Sequence, residues 1–273
     1  MLATSFRHKT STQSDIPLTD EQILSVAPSI FAEDKHDSRS ARYTYIPTID
    51  LLTRLRQEGF NPFMVCQTRT RDVEKREHTK HMVRLRHTSH IGKDEANEII
   101  LLNSHDGSSS YQMLAGVFRF VCANGMVCGD TVADIRVRHS GQVIDNVIEG
   151  AFRVLEDFDK VDAQKDGMKA ITLETGEQEA FARSALALKY DTELAPAPIT
   201  ETQVLRSRRM DDQGNDLWTT FNRIQENLIR GGLRSRSATG QIRQTREVKG
   251  IDQNVKLNRS LWILAEEMRK LKA

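Results

Sequence analysis

The chain has 273 residues, of which 38% are hydrophobic, 6% aromatic and 28% charged, and its formal net charge is +1. This composition is too apolar for wholesale disorder, and the length suffices for a substantial core, either one large domain or one domain with helical additions. Apolar runs break within a few residues, as at Val117-Phe118-Arg119, far short of the ~20 that a membrane-spanning helix needs, so no segment is expected to span a membrane.

Residues 1–17 read as a disordered tail. Met1 to Ser14 is rich in Ser and Thr, carries Arg7, His8 and Lys9, and lacks the apolar segment of a secretory signal. The three cysteines, Cys66, Cys122 and Cys128, are odd in number and contain no C-x-x-C pair, which argues against a disulfide framework and a cysteine zinc knuckle. A cytoplasmic location is therefore expected.

Leu18 to Ile23 reads as a capped helical turn with Thr19 or Asp20 as N-cap. Thr48 introduces a helix through Ile49, Leu52 and Leu55, closed by Gly59. From Asn61 the period shortens, and Phe63 to Arg69 with His81 to His87 read as a hairpin. In its second strand Arg84 and Arg86 fall on one face, Val83 and Leu85 on the other. Further strands are expected at Glu98 to Asn103, Val117 to Val121 and Val132 to Arg138, with Asn124-Gly125 as a turn between the last two.

Helix returns at Val143 to Phe158, where Val147, Ala151, Val154, Leu155 and Phe158 form a stripe, and again around Gly176 to Leu188. Pro196 and Pro198 mark a linker. Beyond them, Leu217, Phe221, Ile224 and Leu228 share a helix face that ends at Gly231-Gly232, and a last helix carries Leu257, Leu261, Leu264, Met268 and Leu271 with Asp252 as its N-cap. The fold class is α+β: a small, mostly antiparallel sheet flanked by helices, in a core domain over 18–195. A helical module over 196–273 follows, with a basic loop at 231–250.

Charge is segregated along the chain. Residues 69–93 hold eight bases against three acids, and residues 230–249 hold six bases against Glu247 alone, whereas 145–179 is acidic. Such asymmetry points to a polyanionic partner, set against the plainer reading of a solvated face. The Gly/Ser/Arg segment from Arg230 to Lys249 is the leading candidate, because glycines let a backbone approach a ligand and arginines fork onto phosphate oxygens. Arg69, Arg84, Arg86, Arg234, Arg236, Arg243, Arg246 and Lys249 are the expected nucleic-acid contacts. Trp218, Phe221 and Trp262 have the spacing of core residues.

A second candidate is the turn His105, Asp106, Gly107, Ser108 and Ser109, where amides and hydroxyls around a glycine could cradle a phosphate and His105 could transfer a proton. The same residues also suit ordinary turn chemistry, and the spacing matches neither a P-loop nor a dinucleotide fingerprint. His78, His81, His87, His90 and His105 lack a carboxylate or cysteine at ligand spacing, so no metal is expected. No catalytic residue can be assigned, and no cofactor is implied.

Three strings, taken with Asp252 to Trp262, resemble one family: Ile99-Ile-Leu-Leu-Asn-Ser-His-Asp-Gly-Ser-Ser-Ser-Tyr-Gln112, Phe120-Val-Cys-Ala-Asn-Gly-Met-Val-Cys-Gly129 and Gln225-Glu-Asn-Leu-Ile-Arg-Gly-Gly-Leu233. It is the family of prophage- and plasmid-borne proteins grouped as domain of unknown function 932, in its enterobacterial branch, and the likeness covers nearly the whole chain. The resemblance implies a bacterial mobile-element protein and brings no established activity, cofactor or catalytic residue. The element order is also loosely similar to that of phage single-strand annealing proteins, an analogy of fold alone.

The expected function is binding, with a capacity for annealing, of single-stranded DNA. Two alternatives stay open: an enzyme acting on a phosphate-containing substrate at His105 to Ser110, and an interaction protein that occupies a host defence or repair factor. A homo-oligomer is compatible with each.

Overall fold

The computed structural model describes residues 10–33, 46–70, 76–90, 95–106, 109–120, 124–129, 134–139, 142–192, 194–236 and 240–272. In chain order the elements are β1 (Ser11–Gln13), α1 (Asp20–Val26), α2 (Thr48–Gln57), β2 (Phe60–Gln67), β3 (His81–His87), β4 (Glu95–Asn103), β5 (Tyr111–Arg119), β6 (Asn124–Val127), β7 (Asp134–Val137) and α3 (Val143–Glu156). Then come α4 (Phe158–Lys169), α5 (Thr175–Lys189), α6 (Glu201–Leu205), α7 (Leu217–Arg230), β8 (Arg234–Arg236), β9 (Ile242–Gln244) and α8 (Ile251–Lys272). The α+β class holds. The chain divides into two compact units, residues 1–120 with 133–158 and residues 121–132 with 159–273, rather than at the prolines near 196.

The first unit is built on a curled antiparallel sheet in the order β1-β2-β3-β4-β5, with β7 also paired to β5. Thr19 caps α1 through a capping box with Gln22. Residues 11–13 are a strand instead of a tail: they pair with Met64–Cys66, and the flanking backbone bonds Ser14 N to Phe63 O (2.9 Å) and Gln67 N to Thr10 O (3.0 Å) extend the pairing. Residues 1–9 lie outside the described residues. Where a short strand from Val117 to Val121 was expected, β5 is one continuous strand from Tyr111 to Arg119, because β4 pairs with it along its length.

Helix α3 lies against β5 and β7, burying Val143, Val147, Ala151 and Val154. Gly150 permits the close approach, since a Cβ there would stand 2.3 Å from Met113 Cε and 3.1 Å from Ile135 Cγ2. A new helix, α4, starts at Phe158, the end of the helix expected from sequence.

In the second unit α5, α6, α7 and α8 pack together around Trp218, Phe221 and Trp262. The three rings sit 5.6–5.9 Å apart between centroids, so they are core residues, as their helical spacing indicates. Asn124-Gly125 is strand, not turn: β6 lies against α8, and the Gly125 carbonyl accepts from Gln225 Nε2 at 3.4 Å. Asp216 caps α7, and α8 begins at Ile251 with Asp252 inside its first turn rather than at its cap.

Candidate nucleic-acid interface

The basic segment after α7 is not a loose loop. Its backbone folds back on itself as an antiparallel hairpin in which Arg234 pairs with Gln244, Ser235 with Arg243 and Arg236 with Ile242. The alternation of a strand puts Arg234 and Arg236 on one face and Ser235 on the other. Ser235 is buried and donates to the Arg243 carbonyl at 3.1 Å, while Arg234, Arg236, Arg243, Arg246 and Lys249 are exposed. Ile242 is also 54% exposed, beside Arg236 on the arginine face.

The base of this hairpin is fastened to its own unit. Gly232 N donates to Thr245 O (2.9 Å), Thr245 N to Leu233 O (2.8 Å), Val248 N to Ile229 O (2.8 Å) and Arg236 N to Pro198 O (3.2 Å). Gln203 Nε2 donates to the Arg234 carbonyl at 2.7 Å. Gly231 has φ +66° and stands so close to the returning strand that a Cβ would lie 2.7 Å from the Arg246 carbonyl carbon. Only glycine fits there, which accounts for the first glycine of the Gly231-Gly232 pair by packing and by conformation.

Beneath the hairpin lies a buried polar clasp on α7. Glu226, 2% exposed, takes both forks of Arg209 (2.8 and 2.6 Å) and one from Arg230 (2.8 Å). These bonds hold the Arg209 guanidinium charged well beyond its ordinary range. Asn227 Nδ2 donates to the Val204 and Arg206 carbonyls, and Arg208 bridges Asn227 Oδ1 (2.7 Å) and Gly231 O (2.5 Å).

The arginines of the sheet fare differently. Arg69 is exposed, but Arg84 is 4% and Arg86 1% exposed, so both are withdrawn from the expected phosphate surface. The reason is Glu98 on the neighbouring strand β4, which accepts from Arg84 Nη1 at 2.8 Å and from Arg86 Nε at 2.9 Å. Gly116 stands opposite Glu98 on β5 and places no side chain beside this ion triad. The Arg86 guanidinium is further enclosed by Phe63, Phe118 and Phe120, with ring centroids 4.3, 4.3 and 4.8 Å away. Alternation along β3 identifies a common face correctly; that the face is covered follows from Glu98 and the phenylalanines, which come from other strands.

The His105 turn is likewise drawn inward. His105 is fully buried, its Nε2 3.2 Å from Thr48 Oγ1, which also lies 3.0 Å from His81 Nε2 and accepts from Asn103 Nδ2 at 3.1 Å. His81 Nδ1 meets Ser29 Oγ at 2.9 Å, and Ser29 in turn bonds Gln67. Burial, reinforced by the neighbouring His139 and His78, lowers the His105 pKa to about 4, and burial with His105 nearby lowers that of His81 further below the ordinary imidazole value. Both rings are therefore neutral at pH 7, and a base of that strength matches proton transfer near neutrality poorly.

Ser109 N donates to Ser104 Oγ at 2.8 Å, which is turn chemistry closing on itself. Asp106 is half-buried, and Gly107 and Ser108 lie outside the described residues. Burial pushes the Cys66 thiol up to about 12, against the opposing pull of Arg84, so it is no nucleophile. Sequence reasoning does not single out Arg136 on β7, Arg138 just after it or Arg153 on α3, all exposed. The R-V-R alternation was their only signal.

The model of the domain of unknown function DUF932 matches residues 35–262. The chain belongs to this family. It is similar to the UPF0380 protein YafZ of Escherichia coli (strain K12), 54% identical over 267 residues that span 98% of this chain and 97% of that protein. It is equally similar to the UPF0380 protein YfjQ of the same strain, 53% identical over 267 residues with the same coverage. No solved structure matches. Within this DUF932 chain the string 225–233 forms the α7 clasp and the hairpin base, and the string 99–112 holds the buried His105 network. No helix among the described residues is long and apolar enough to cross a membrane.

Proposed function

We propose that this DUF932 protein binds single-stranded nucleic acid through the β8–β9 hairpin, as a component of a prophage or plasmid. The observation that carries the reading is the hairpin itself: three exposed arginines, Arg234, Arg236 and Arg243, on a short ribbon whose base is fixed by hydrogen bonds, with Arg246 and Lys249 exposed just after it. Among the described residues the acid paired with these cations is Glu247, 3.5 Å from Lys249 in an exposed pair that contributes little. Arginines on a fixed scaffold can engage phosphates with less ordering cost than arginines on a free chain. Arg69 stays a candidate contact of the first unit; Arg84 and Arg86 do not.

With the large aromatics buried, affinity must come mainly from phosphate contacts, which makes it salt-dependent. Five contacts predict a slope of log affinity on log salt of about −3.5 for single strands, or roughly a hundredfold loss between 50 and 200 mM salt. Fluorescence anisotropy against labelled single-stranded and duplex oligonucleotides at both salts measures this. Charge reversal at Arg234 and Arg236 should flatten the slope and cut affinity; absence of binding at low salt, or undiminished binding by that variant, overturns the reading.

A further inference from the structure

The outer edge of β7 and the facing side of α3 enclose an open groove of about 350 Å³ within the first unit. Strand β7 pairs with β5 on one side only, and among the described residues no strand covers its other edge. One wall is therefore a strand whose outward N–H and C=O groups are available, and the other is the α3 stripe Asn146, Glu149, Gly150 and Arg153, spaced to share a helix face. An extended backbone laid between a sheet edge and a helix meets this geometry.

The charges say which backbone. Arg136 stands on β7 and Arg138 just past its end, two residues on, both of the parity opposite to Ile135, which meets Gly150 of α3; Arg153 lines the groove from α3. The Arg136 and Arg153 side chains are 67% and 64% exposed, and among the described residues their ion pairs are with Asp134 at 3.6 Å and with Glu149, both exposed or partly exposed pairs of small energy. Arg138 is exposed and makes no ion pair among the described residues. The rim thus carries an excess of positive charge with arginines at the two-residue repeat of a strand.

We propose that this groove takes up an extended acidic segment of another protein as an added strand on β7, its alternate carboxylates meeting Arg136 and Arg138 while its other face turns to α3. A second copy of this chain is disfavoured, since antiparallel pairing of two β7 edges would set Arg136 and Arg138 of one against the same arginines of the other. Nucleic acid is disfavoured too: phosphates can accept from the arginines but offer no donor to the strand carbonyls, whereas a peptide backbone satisfies both. The proposal is independent of the hairpin reading, because it concerns different residues in a different unit.

The test is selection of random decapeptides displayed on phage against the full-length protein, followed by anisotropy of the labelled synthetic winners. Peptides with Asp or Glu at alternate positions should be enriched. Their affinity should fall at least about tenfold against the Arg136→Glu/Arg138→Glu variant, whose exposed substitutions leave the thermal melt unchanged. Methylation of alternate peptide amides should abolish binding, which attraction between charges alone would survive. Failure to enrich acidic peptides, or binding that survives either the double variant or amide methylation, overturns the proposal. So does displacement of the peptide by oligothymidine together with weaker oligothymidine binding by the double variant, which would assign the groove to nucleic acid.

Discussion

Replacing Glu98 by Gln tests whether the ion triad is a structural keystone of the sheet. Glu98 is fully buried and is the shared acceptor of two guanidinium groups that are themselves at most 5% exposed in their side chains, at 2.8 and 2.9 Å. Among the described residues the two terminal nitrogens of Arg86 have no hydrogen-bond partner and face phenylalanine rings, so Arg86 depends on its Nε contact for hydrogen-bonded compensation. Removing the carboxylate leaves two cations in a dry interior, and breaking a buried pair from one side costs about 3–5 kcal/mol. For a unit of this size that lowers the midpoint by roughly 10–15 °C. Calorimetry of the intact chain should show the loss in the transition of the first unit, with the second unit unaffected. Replacing all three residues by Met and Leu of similar volume should recover much of it, because the desolvation of three charges disappears with them. A loss below about 1 kcal/mol in Glu98→Gln would refute the argument and mean that water or a shifted backbone compensates the arginines.

The histidine network makes stability pH-dependent. Folding depresses the His105 pKa to about 4, so the neutral ring is favoured in the folded state; nothing is lost above the unfolded value near 6.5, and stability falls as pH drops from there toward 4. His105 alone accounts for about 3 kcal/mol over that window and His81 adds in the same direction, so denaturant titrations at pH 7 and pH 5 should differ clearly, and a flat profile would contradict the burial of these rings. At the hairpin base, Gly231→Ala should destabilise markedly more than Gly232→Ala. Both have positive φ, but only at Gly231 would a Cβ meet backbone at 2.7 Å, and equal midpoints for the two variants would refute the close approach.

Much of the fold is legible in the sequence because it is written in periodicity. The period-2 run of β3 and the apolar stripe of α7 specify their elements locally, as does the Thr19 cap. Ser11–Gln13 is not legible, since three polar residues become a strand only through the edge offered by β2. The same holds for β8 and β9: Arg-Ser-Arg and Ile-Arg-Gln have no strand signature, and their pairing depends on the Gly231 turn and on Gln203 and Pro198 elsewhere in the unit.

The candidate site divides in the same way. The exposed cations from Arg234 to Lys249 could be read from charge and glycine content, whereas the fate of Arg84 and Arg86 could not. Two arginines at alternate positions look alike on a wet face and on a buried one, and the deciding acid, Glu98, lies on a different strand. His105 is the same problem in another guise: an Asp-Gly-Ser turn is ordinarily exposed, and only Thr48 and His81 draw its first residue inside.

This division bears on what the family resemblance can carry. The four strings that link the chain to DUF932 contain none of Arg69, Arg136, Arg138, Arg153, Arg234, Arg236, Arg243, Arg246 or Lys249. What they contain is framework: the end of β4 with its buried histidine, the β6 strand against α8, and the Glu226 and Asn227 clasp under the hairpin. Buried polar networks of this kind fix geometry because each partner left unsatisfied is costly. The family match itself spans residues 35–262 and so covers the framework and the exposed arginines alike. The proposed recognition rests on exposed arginines outside those strings, and it has to be tested at those residues.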